Sequence, residues 1–152
     1  MTVFHIFDLD GTVIDSSHRY RNKPCGSIDL EYWIDNCTAE NIERDSLLPM
    51  ADKMRSLWAR NEYVLVCTAR AMEKPDFEFL NRHGLYADAI LHRQGGSDMR
   101  SDADLKEQLI DKFLDEIGYI GLDNPDIRVV MYEDNLTVID RLRTRGVICC
   151  VC

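Results

Sequence analysis

The first thirteen residues constrain this chain more than any other part of it. An apolar run over residues 3–7 leads into Asp8 and Asp10, which are one residue apart, and then into Gly11 and Thr12. In an extended chain the two aspartates leave the strand on the same face, and Gly11 lets the backbone turn directly after them. Neighbouring carboxylates repel each other unless a cation lies between them, and oxygen ligands of this kind suit Mg²⁺. We therefore expect a buried strand that ends in a magnesium site.

Apolar runs and helical patterns alternate along the rest of the chain. Short apolar runs predict strands over 3–7, 63–67, 87–91, 128–132 and 147–151. Amphipathic patterns predict helices over 41–61, with a break or a true start at Pro49, and over 75–83, 101–117 and 136–145. Strands that are almost continuously apolar and alternate with helices predict a doubly wound parallel sheet. We therefore expect one α/β domain over 1–152, a three-layer Rossmann-like α/β/α fold with a mainly parallel five-stranded sheet.

Polar residues follow two further predicted strands and open one predicted helix. Thr68, Ala69 and Arg70 come after the second strand, where a hydroxyl, backbone N–H groups and a guanidinium can bind phosphate oxygens. Lys106 lies near the start of a helix, where the helix dipole disfavours a cation, so it requires an anionic partner. An acidic pair at 133–134 follows the fourth strand. Because ligands of such sheets bind at the carboxyl ends of the strands, we expect these groups to meet.

In order along the chain, these groups resemble the four motifs of the haloacid dehalogenase superfamily, the first being Asp-x-Asp-Gly-Thr at residues 8–12. The resemblance implies a phosphatase in which Asp8 takes up the phosphoryl group as an aspartyl-phosphate and Asp10 is the general acid and base. It also implies that Thr68 and Lys106 hold the phosphoryl oxygens and their charge. The implied Mg²⁺ ligands are Asp8, Asp10, Glu133 and Asp134. The implied substrate-binding residues here are Gly11, Thr12, Ala69 and Arg70.

Residues 92–106 are similar to one stretch of the 3′-phosphatase domain of phage-type polynucleotide kinase–phosphatases. Arg100, Asp102 and Lys106 keep that family's relative spacing, Arg93 matches with one extra residue intervening, and Ala103 departs from an aspartate. This resemblance implies that Arg93 and Arg100 bind substrate phosphate and that the chain removes 3′-phosphates from nucleic-acid ends. The kinase motif G-x-x-x-x-G-K-[ST] does not occur in the sequence, so we expect a phosphatase without a kinase half.

Two other functions stay open. A net charge of −9, from 27 acidic and 18 basic residues, favours a small deoxynucleotide or another phosphorylated metabolite as substrate, because proteins that coat nucleic acids are normally basic. The arginine-rich segment before Lys106 favours a nucleic-acid 3′ end instead. The third function, a non-catalytic binding module with the same fold, would predict loss of the catalytic residues, and none is lost.

Composition sets the remaining expectations. The six cysteines form no C-x-x-C pair, so a zinc site is poorly supported, and we expect reduced thiols that pack as small apolar residues. No run is long and apolar enough to span a bilayer, and the chain enters its first motif without a secretory signal, so we expect a cytoplasmic protein with no membrane contact.

The segment 14–38 shows no clear hydrophobic period, and we interpret it as a small flap or cap insert over the site. It carries Tyr20, Tyr32 and Trp33. These aromatic side chains either stack on a nucleobase or pack against the core.

Overall fold

The structure is a computed structural model that describes residues 1–95 and 97–152, so Gly96 of the 92–106 stretch lies outside the described residues. The strands are β1 (Thr2–Phe7), β2 (Ile14–Asp15), β3 (Ser46–Leu47), β4 (Tyr63–Thr68), β5 (Ala89–His92), β6 (Ile127–Glu133) and β7 (Ile148–Val151). The α-helices are α1 (Leu30–Asp35), α2 (Ala39–Glu43), α3 (Met50–Ala59), α4 (Lys74–Arg82), α5 (Asp102–Glu116) and α6 (Leu136–Arg143). A short 3₁₀ turn covers Ser17–Arg19.

A parallel sheet of five strands forms the centre of the molecule, in the order β5-β4-β1-β6-β7. The central strand β1 lies between β4 and β6, and Ile6 is paired with Leu65 on one side and with Met131 on the other. All three side chains are fully buried, as the almost continuous apolar runs predict for inner strands of a parallel sheet. The sheet therefore places the ends of β4, β1 and β6 next to one another.

Each face of the sheet carries its own apolar core. Successive residues of a strand point to opposite faces. Val64 and Val66 of β4 pack with side chains of α3 and α4, whereas Leu65 and Cys67 pack with side chains of α5 and α6. The result is a helical layer on each side of the sheet, which confirms the predicted three-layer α/β fold.

The predicted helix over 41–61 is two helices separated by a strand. Helix α2 ends at Glu43, the chain passes through β3, and α3 begins at Met50 directly after Pro49. Proline has no N–H to donate and disfavours helical geometry in the residue before it, so a helix starts after Pro49 rather than running through it. The break expected at this proline is therefore the true start of α3.

Strands β2 and β3 form a small antiparallel ribbon in which Ile14 is paired with Leu47. This ribbon encloses the 3₁₀ turn, α1 and α2, and we refer to residues 14–47 as the insert. Its return strand lies beyond the boundary at residue 38 that the sequence indicates, because α2 lacks an apolar stripe and buries only Ile42. Among the described residues, no helix has the length and apolar character needed to cross a membrane.

The cysteines differ in their surroundings although all six are free thiols. Cys67 is buried in the sheet, and burial raises the pKa of its thiol to about 12. Cys150 and Cys152 are exposed because they lie at the edge strand β7, and Cys25 and Cys37 are exposed in the insert. The prediction that cysteines pack as small apolar residues therefore fits Cys67 and is wrong for these four.

Candidate active site

The carboxyl ends of the three central strands bring together residues that are far apart in the sequence. Asp8 follows β1, Thr68 is the last residue of β4, and Glu133 is the last residue of β6. Lys106 reaches the same edge from the first turns of α5. This edge of the sheet is the candidate active site.

Asp8 is a buried carboxylate held from both sides. Its Oδ1 accepts a hydrogen bond from Lys106 Nζ at 2.8 Å, and its Oδ2 accepts one from Thr12 Oγ1 at 3.1 Å. Burial raises the pKa of Asp8 well above its usual range, the Lys106 ammonium opposes that shift, and Glu133 adds to it. The two hydrogen bonds fix the orientation of the Asp8 carboxyl group.

Lys106 lies between two carboxylates and is 3% exposed. Its Nζ donates to Glu133 Oε2 at 2.6 Å as well as to Asp8. Burial lowers the pKa of Lys106, but the two carboxylates raise it by more, so the ammonium stays charged. Glu133 Oε1 accepts from the backbone N–H groups of Asp134 and Asn135, both at 3.1 Å. Glu133 thus holds both Lys106 and the turn that carries Asp134.

Three carboxylates at this edge have the spacing of a metal site. Asp8, Glu133 and Asp134 each offer an oxygen, and these oxygens all lie within 4.8 Å of one another. Asp134 reaches the group by lying against Gly11, where a Cβ atom would come within 2.2 Å of Asp134 Oδ2. Three carboxylates facing one Lys106 ammonium leave an excess of negative charge on oxygen ligands. This donor set fits a divalent, oxygen-preferring cation such as Mg²⁺.

Asp10 lies in a different electrostatic environment from Asp8. Its carboxylate accepts from Arg70 Nε at 2.8 Å and Nη2 at 2.6 Å, a two-pronged ion pair, and also from Ser16 Oγ at 2.6 Å. Partial burial raises the pKa of Asp10, but Arg70 and Ser16 together lower it by more, so the net shift is downward. The resting site therefore holds Asp10 as an oriented carboxylate.

Arg70 is predicted from the sequence to bind substrate phosphate, but its guanidinium faces carboxylates of the protein itself. Besides Asp10, it donates to Asp76 Oδ1 at 2.8 Å and to Asp45 Oδ2 at 3.2 Å. The side chain is almost fully buried, and the three carboxylates raise its pKa against the effect of burial. The partners of the Arg70 guanidinium in the structure are thus carboxylates of the protein, and one effect of this bonding is to orient Asp10.

The two arginines of the 92–106 stretch also bond within the protein. Arg93 donates to the carbonyl oxygens of Ala69 at 2.9 Å, Asp98 at 2.8 Å and Arg100 at 2.7 Å, and to Asp102 Oδ1 at 3.2 Å. Arg100 forms a two-pronged pair with Asp98, at 2.9 and 2.7 Å. Backbone carbonyl groups in a loop have no partner strand, so they need other hydrogen-bond donors, and the Arg93 guanidinium supplies them. Both arginines therefore help to shape this loop.

The residues predicted to contact phosphate through small polar groups divide in two. Thr68 Oγ1 accepts from the Arg70 N–H at 3.1 Å, which leaves its own hydroxyl hydrogen available to a ligand. The Gly11 N–H donates to the Ile14 carbonyl at 2.9 Å, and Thr12 donates its hydroxyl to Asp8. Thr68 therefore has a hydroxyl hydrogen to donate at the carboxyl end of β4, whereas Gly11 and Thr12 build the turn around Asp8.

Four residues that the sequence analysis did not single out complete the surroundings of Asp10. They are Ser16, Arg19, Asp45 and Asp76. Only Asp76 carries a local signal, because it is the N3 residue of a capping box with Glu73 at the start of α4. The other three belong to the insert. Asp45 is 26 residues from Arg19 and 25 from Arg70, and no spacing rule connects residues so far apart.

Comparison with known proteins assigns the chain to a family. Residues 1–149 match the bacteriophage T5 5′-deoxynucleotidase family. The 5′-deoxynucleotidase of Escherichia phage T5 is 41% identical over 86 aligned positions, and the match covers 53% of this chain and 34% of that enzyme. The match therefore covers about a third of the length of that phage enzyme.

Solved structures share the fold at low sequence identity. A chain of the Pnkp1/Rnl/Hen1 RNA repair complex superposes with a TM-score of 0.71 and 23% identity, over 100% of this chain and 42% of that one. A haloacid dehalogenase-like hydrolase from Streptococcus pneumoniae gives 0.67 and 14%, over 99% and 84%. The D,D-heptose 1,7-bisphosphate phosphatase of B. bronchiseptica, solved with magnesium and phosphate, gives 0.59 and 14%, over 99% and 80%.

The fold likeness and the family match agree with the motifs at residues 8–12, 68–70, 106 and 133–134. They confirm the resemblance to haloacid dehalogenase superfamily phosphatases that the sequence indicates. The chain belongs to the bacteriophage T5 5′-deoxynucleotidase family and has the haloacid dehalogenase fold.

Proposed function

We propose that this protein is a magnesium-dependent phosphatase that hydrolyses deoxynucleoside monophosphates through an aspartyl-phosphate. The observation that carries the proposal is the buried Asp8 carboxylate, oriented by Lys106 and Thr12 and adjacent to Asp134 at the carboxyl edge of the sheet. A carboxylate fixed in this way, with a cation beside it, is suited to attack phosphorus in line.

The residues divide the work of phosphoryl transfer. Asp8 attacks phosphorus and the ester oxygen leaves, which gives the aspartyl-phosphate and a free nucleoside. Thr68 donates its hydroxyl to a phosphoryl oxygen, and the Lys106 ammonium offsets the charge that gathers on the phosphoryl group. Asp8, Asp134 and the main-chain carbonyl of Asp10 would hold Mg²⁺, which supplies further neutralisation of that charge.

Asp10 is the proposed proton carrier. In the first step it protonates the leaving oxygen, and in the second it takes a proton from the water that hydrolyses the aspartyl-phosphate. The Arg70 pair and Ser16 favour the ionised form that the second step requires. A bound phosphate dianion raises the pKa of a neighbouring carboxyl, so substrate itself favours the protonated form that the first step requires.

The substrate class follows from the family and from charge. Residues 1–149 of the chain match a family named for a 5′-deoxynucleotidase. The net charge of −9 favours a small anion held at one local site over a long nucleic acid, which would be repelled along its whole length. A nucleic-acid 3′-phosphate is the second candidate, because Arg100, Asp102 and Lys106 keep the spacing of polynucleotide 3′-phosphatases. The internal bonds of Arg93 and Arg100 count against it, since they already engage both guanidinium groups with carbonyl and carboxylate oxygens of the protein.

The test is phosphate release with Mg²⁺ from four substrates: a deoxynucleoside 5′-monophosphate, its 3′ isomer, the ribonucleoside 5′-monophosphate and a 3′-phosphorylated oligonucleotide. We expect preference for the first. Preference for the oligonucleotide would establish the second candidate instead, and turnover of none would contradict the proposed function.

Asp8→Asn is the matched control, because it keeps the shape of the side chain and removes the nucleophile. We expect loss of turnover with an unchanged circular dichroism spectrum. Substantial turnover by a pure and folded Asp8→Asn protein would rule out the aspartyl-phosphate.

A further inference from the structure

Two buried arginines connect the insert to Asp10. Arg19, from the 3₁₀ turn, is 1% exposed, and Arg70 is almost equally buried. Between them lies Asp45, whose side chain is completely buried. Asp45 accepts from Arg19 Nε at 2.9 Å and Nη2 at 3.0 Å, and its Oδ2 also accepts from Arg70 Nη2 at 3.2 Å. The same Nη2 atom donates to Asp10 at 2.6 Å.

The two guanidinium groups hold three separate parts of the insert together. Arg19 lies near its beginning, Trp33 on α1 in its middle, and Asp45 between α2 and β3 near its end. The Trp33 ring lies over Arg19 at 4.3 Å and within 5.9 Å of the Arg70 guanidinium carbon. Helix α1 buries no residue completely, so ion pairs and this stacking attach the middle of the insert, whereas Ile14, Ile42 and Leu47 attach its two ends to the apolar core.

Asp45 determines how Arg70 can lie. The Arg70 guanidinium meets carboxylates on three sides, with Asp10 and Asp45 sharing one nitrogen and Asp76 on the other. A planar guanidinium that is bonded in this way cannot rotate without breaking at least one charged hydrogen bond. Without Asp45, Arg70 loses its bond toward the insert, and Arg19 becomes a buried cation without its carboxylate.

We propose that Asp45 is a positioning residue that acts through Arg70: the insert uses it to fix the orientation of the Asp10 carboxylate. The inference rests on the proposed function, because it assigns to Asp45 the alignment of the proton carrier of that reaction. It makes the insert a fixed wall of the site, attached by charge to the catalytic carboxylate.

The prediction concerns the leaving group. A misaligned Asp10 slows substrates whose leaving oxygen needs a proton, and has little effect on those whose leaving group is a stable anion. For Asp45→Asn we therefore expect kcat to fall by roughly 10- to 100-fold with a deoxynucleoside monophosphate, which is the usual cost of misplacing a catalytic group. With p-nitrophenyl phosphate we expect a fall of less than about threefold, and KM within about twofold for both.

Asp52→Asn is the control variant, because this carboxylate lies on α3 with 87% of its side chain exposed. It should match the wild type with both substrates. Equal losses on the two substrates for Asp45→Asn, a change in KM alone, or no change would each overturn the inference. A wild type that turns over neither substrate would instead refute the proposed function.

Trp33→Leu gives a second test that leaves every ion pair in place. It removes the ring that lies over Arg19 and beside Arg70, so it loosens the same connection while Asp45 keeps both of its arginine partners. We expect the same dependence on the leaving group with a smaller loss, roughly three- to tenfold in kcat for the nucleotide. If Asp45→Asn does not fold, equal losses on both substrates for Trp33→Leu would overturn the inference.

Discussion

Replacing Gly11 by alanine should weaken Mg²⁺ binding strongly while it lowers the stability of the fold only modestly. The φ of Gly11 is +82°, and a Cβ atom there would lie 2.2 Å from Asp134 Oδ2. Ordinary contact begins at 3.4 Å, so in Gly11→Ala the Asp134 carboxylate must move by about 1.2 Å. That carboxylate is the end of a short side chain, and it can rotate away without moving the backbone.

Two costs follow from Gly11→Ala, and they differ in kind. A left-handed backbone costs an alanine about 1–2 kcal/mol, which lowers the free energy of unfolding. Displacing a proposed Mg²⁺ ligand by about 1 Å should cost roughly 100-fold in kcat, because phosphoryl transfer depends on the position of the charges around the phosphorus. We therefore expect a modest loss of stability and a large loss of Mg²⁺ affinity and activity.

Gly26→Ala is the matched control, because Gly26 has φ of +89° and nothing lies within 4 Å of where its Cβ would be. Both variants carry the same backbone strain, and only Gly11→Ala carries the contact with Asp134. Calorimetric titration with Mg²⁺ and denaturant unfolding of the two proteins measure the two costs separately. The reasoning is refuted if Gly11→Ala binds Mg²⁺ as tightly as Gly26→Ala does.

Two further predictions test the loop arginine and the protonation of the site. Arg93→Ala should lower the free energy of unfolding by about 1–3 kcal/mol, because three loop carbonyl groups lose their donor, while KM for a nucleotide stays within about twofold. A large rise in KM with unchanged stability would show that Arg93 binds substrate phosphate. Burial raises the pKa of Asp8 in the folded protein above its usual value of 3.8. Between these two pKa values the folded protein without metal holds a proton on Asp8 that the unfolded chain has lost. The stability that this proton gives is therefore lost as pH rises through the raised pKa. Mg²⁺ requires the ionised form, so the increase in Tm that Mg²⁺ gives over EDTA should grow with pH across that window, and an increase that is independent of pH would contradict this account.

The sheet was predictable because its strands are buried on both faces. Such strands read as almost continuous apolar runs, and the predicted limits differ from those of β1, β4 and β6 by one or two residues. The insert gave no comparable signal, because α1 buries no residue completely and α2 buries only Ile42. Hydrophobic periodicity detects helices that bury an apolar stripe. Helix α1 is attached through the Trp33 ring over Arg19, and α2 adds a single apolar side chain, Ile42, to the core.

The candidate site was predictable where its residues follow strands. Asp8, Thr68 and Glu133 lie at the ends of neighbouring strands, so the order of the motifs along the chain also places them in space. No comparable rule predicts which partner a long arginine side chain contacts. Arg70 turns toward Asp45, which is 25 residues earlier in the chain, and only the folded insert brings that carboxylate within reach.

The two aspartates of the first motif look equivalent in the sequence, and the fold gives them opposite surroundings. On the side of Asp8, burial raises the pKa of that carboxyl group and Glu133 adds to the shift. Three carboxylates there face the single ammonium of Lys106, and the negative charge that remains fits a divalent cation. On the side of Asp10, buried guanidinium groups pair with the carboxylates and lower the pKa of Asp10. We therefore expect a cation at the carboxylate of Asp8, the proposed nucleophile, and not at the carboxylate of Asp10, the proposed proton carrier. The insert contributes to this difference between the two aspartates, because it supplies Asp45, the carboxylate that bonds both Arg19 and Arg70.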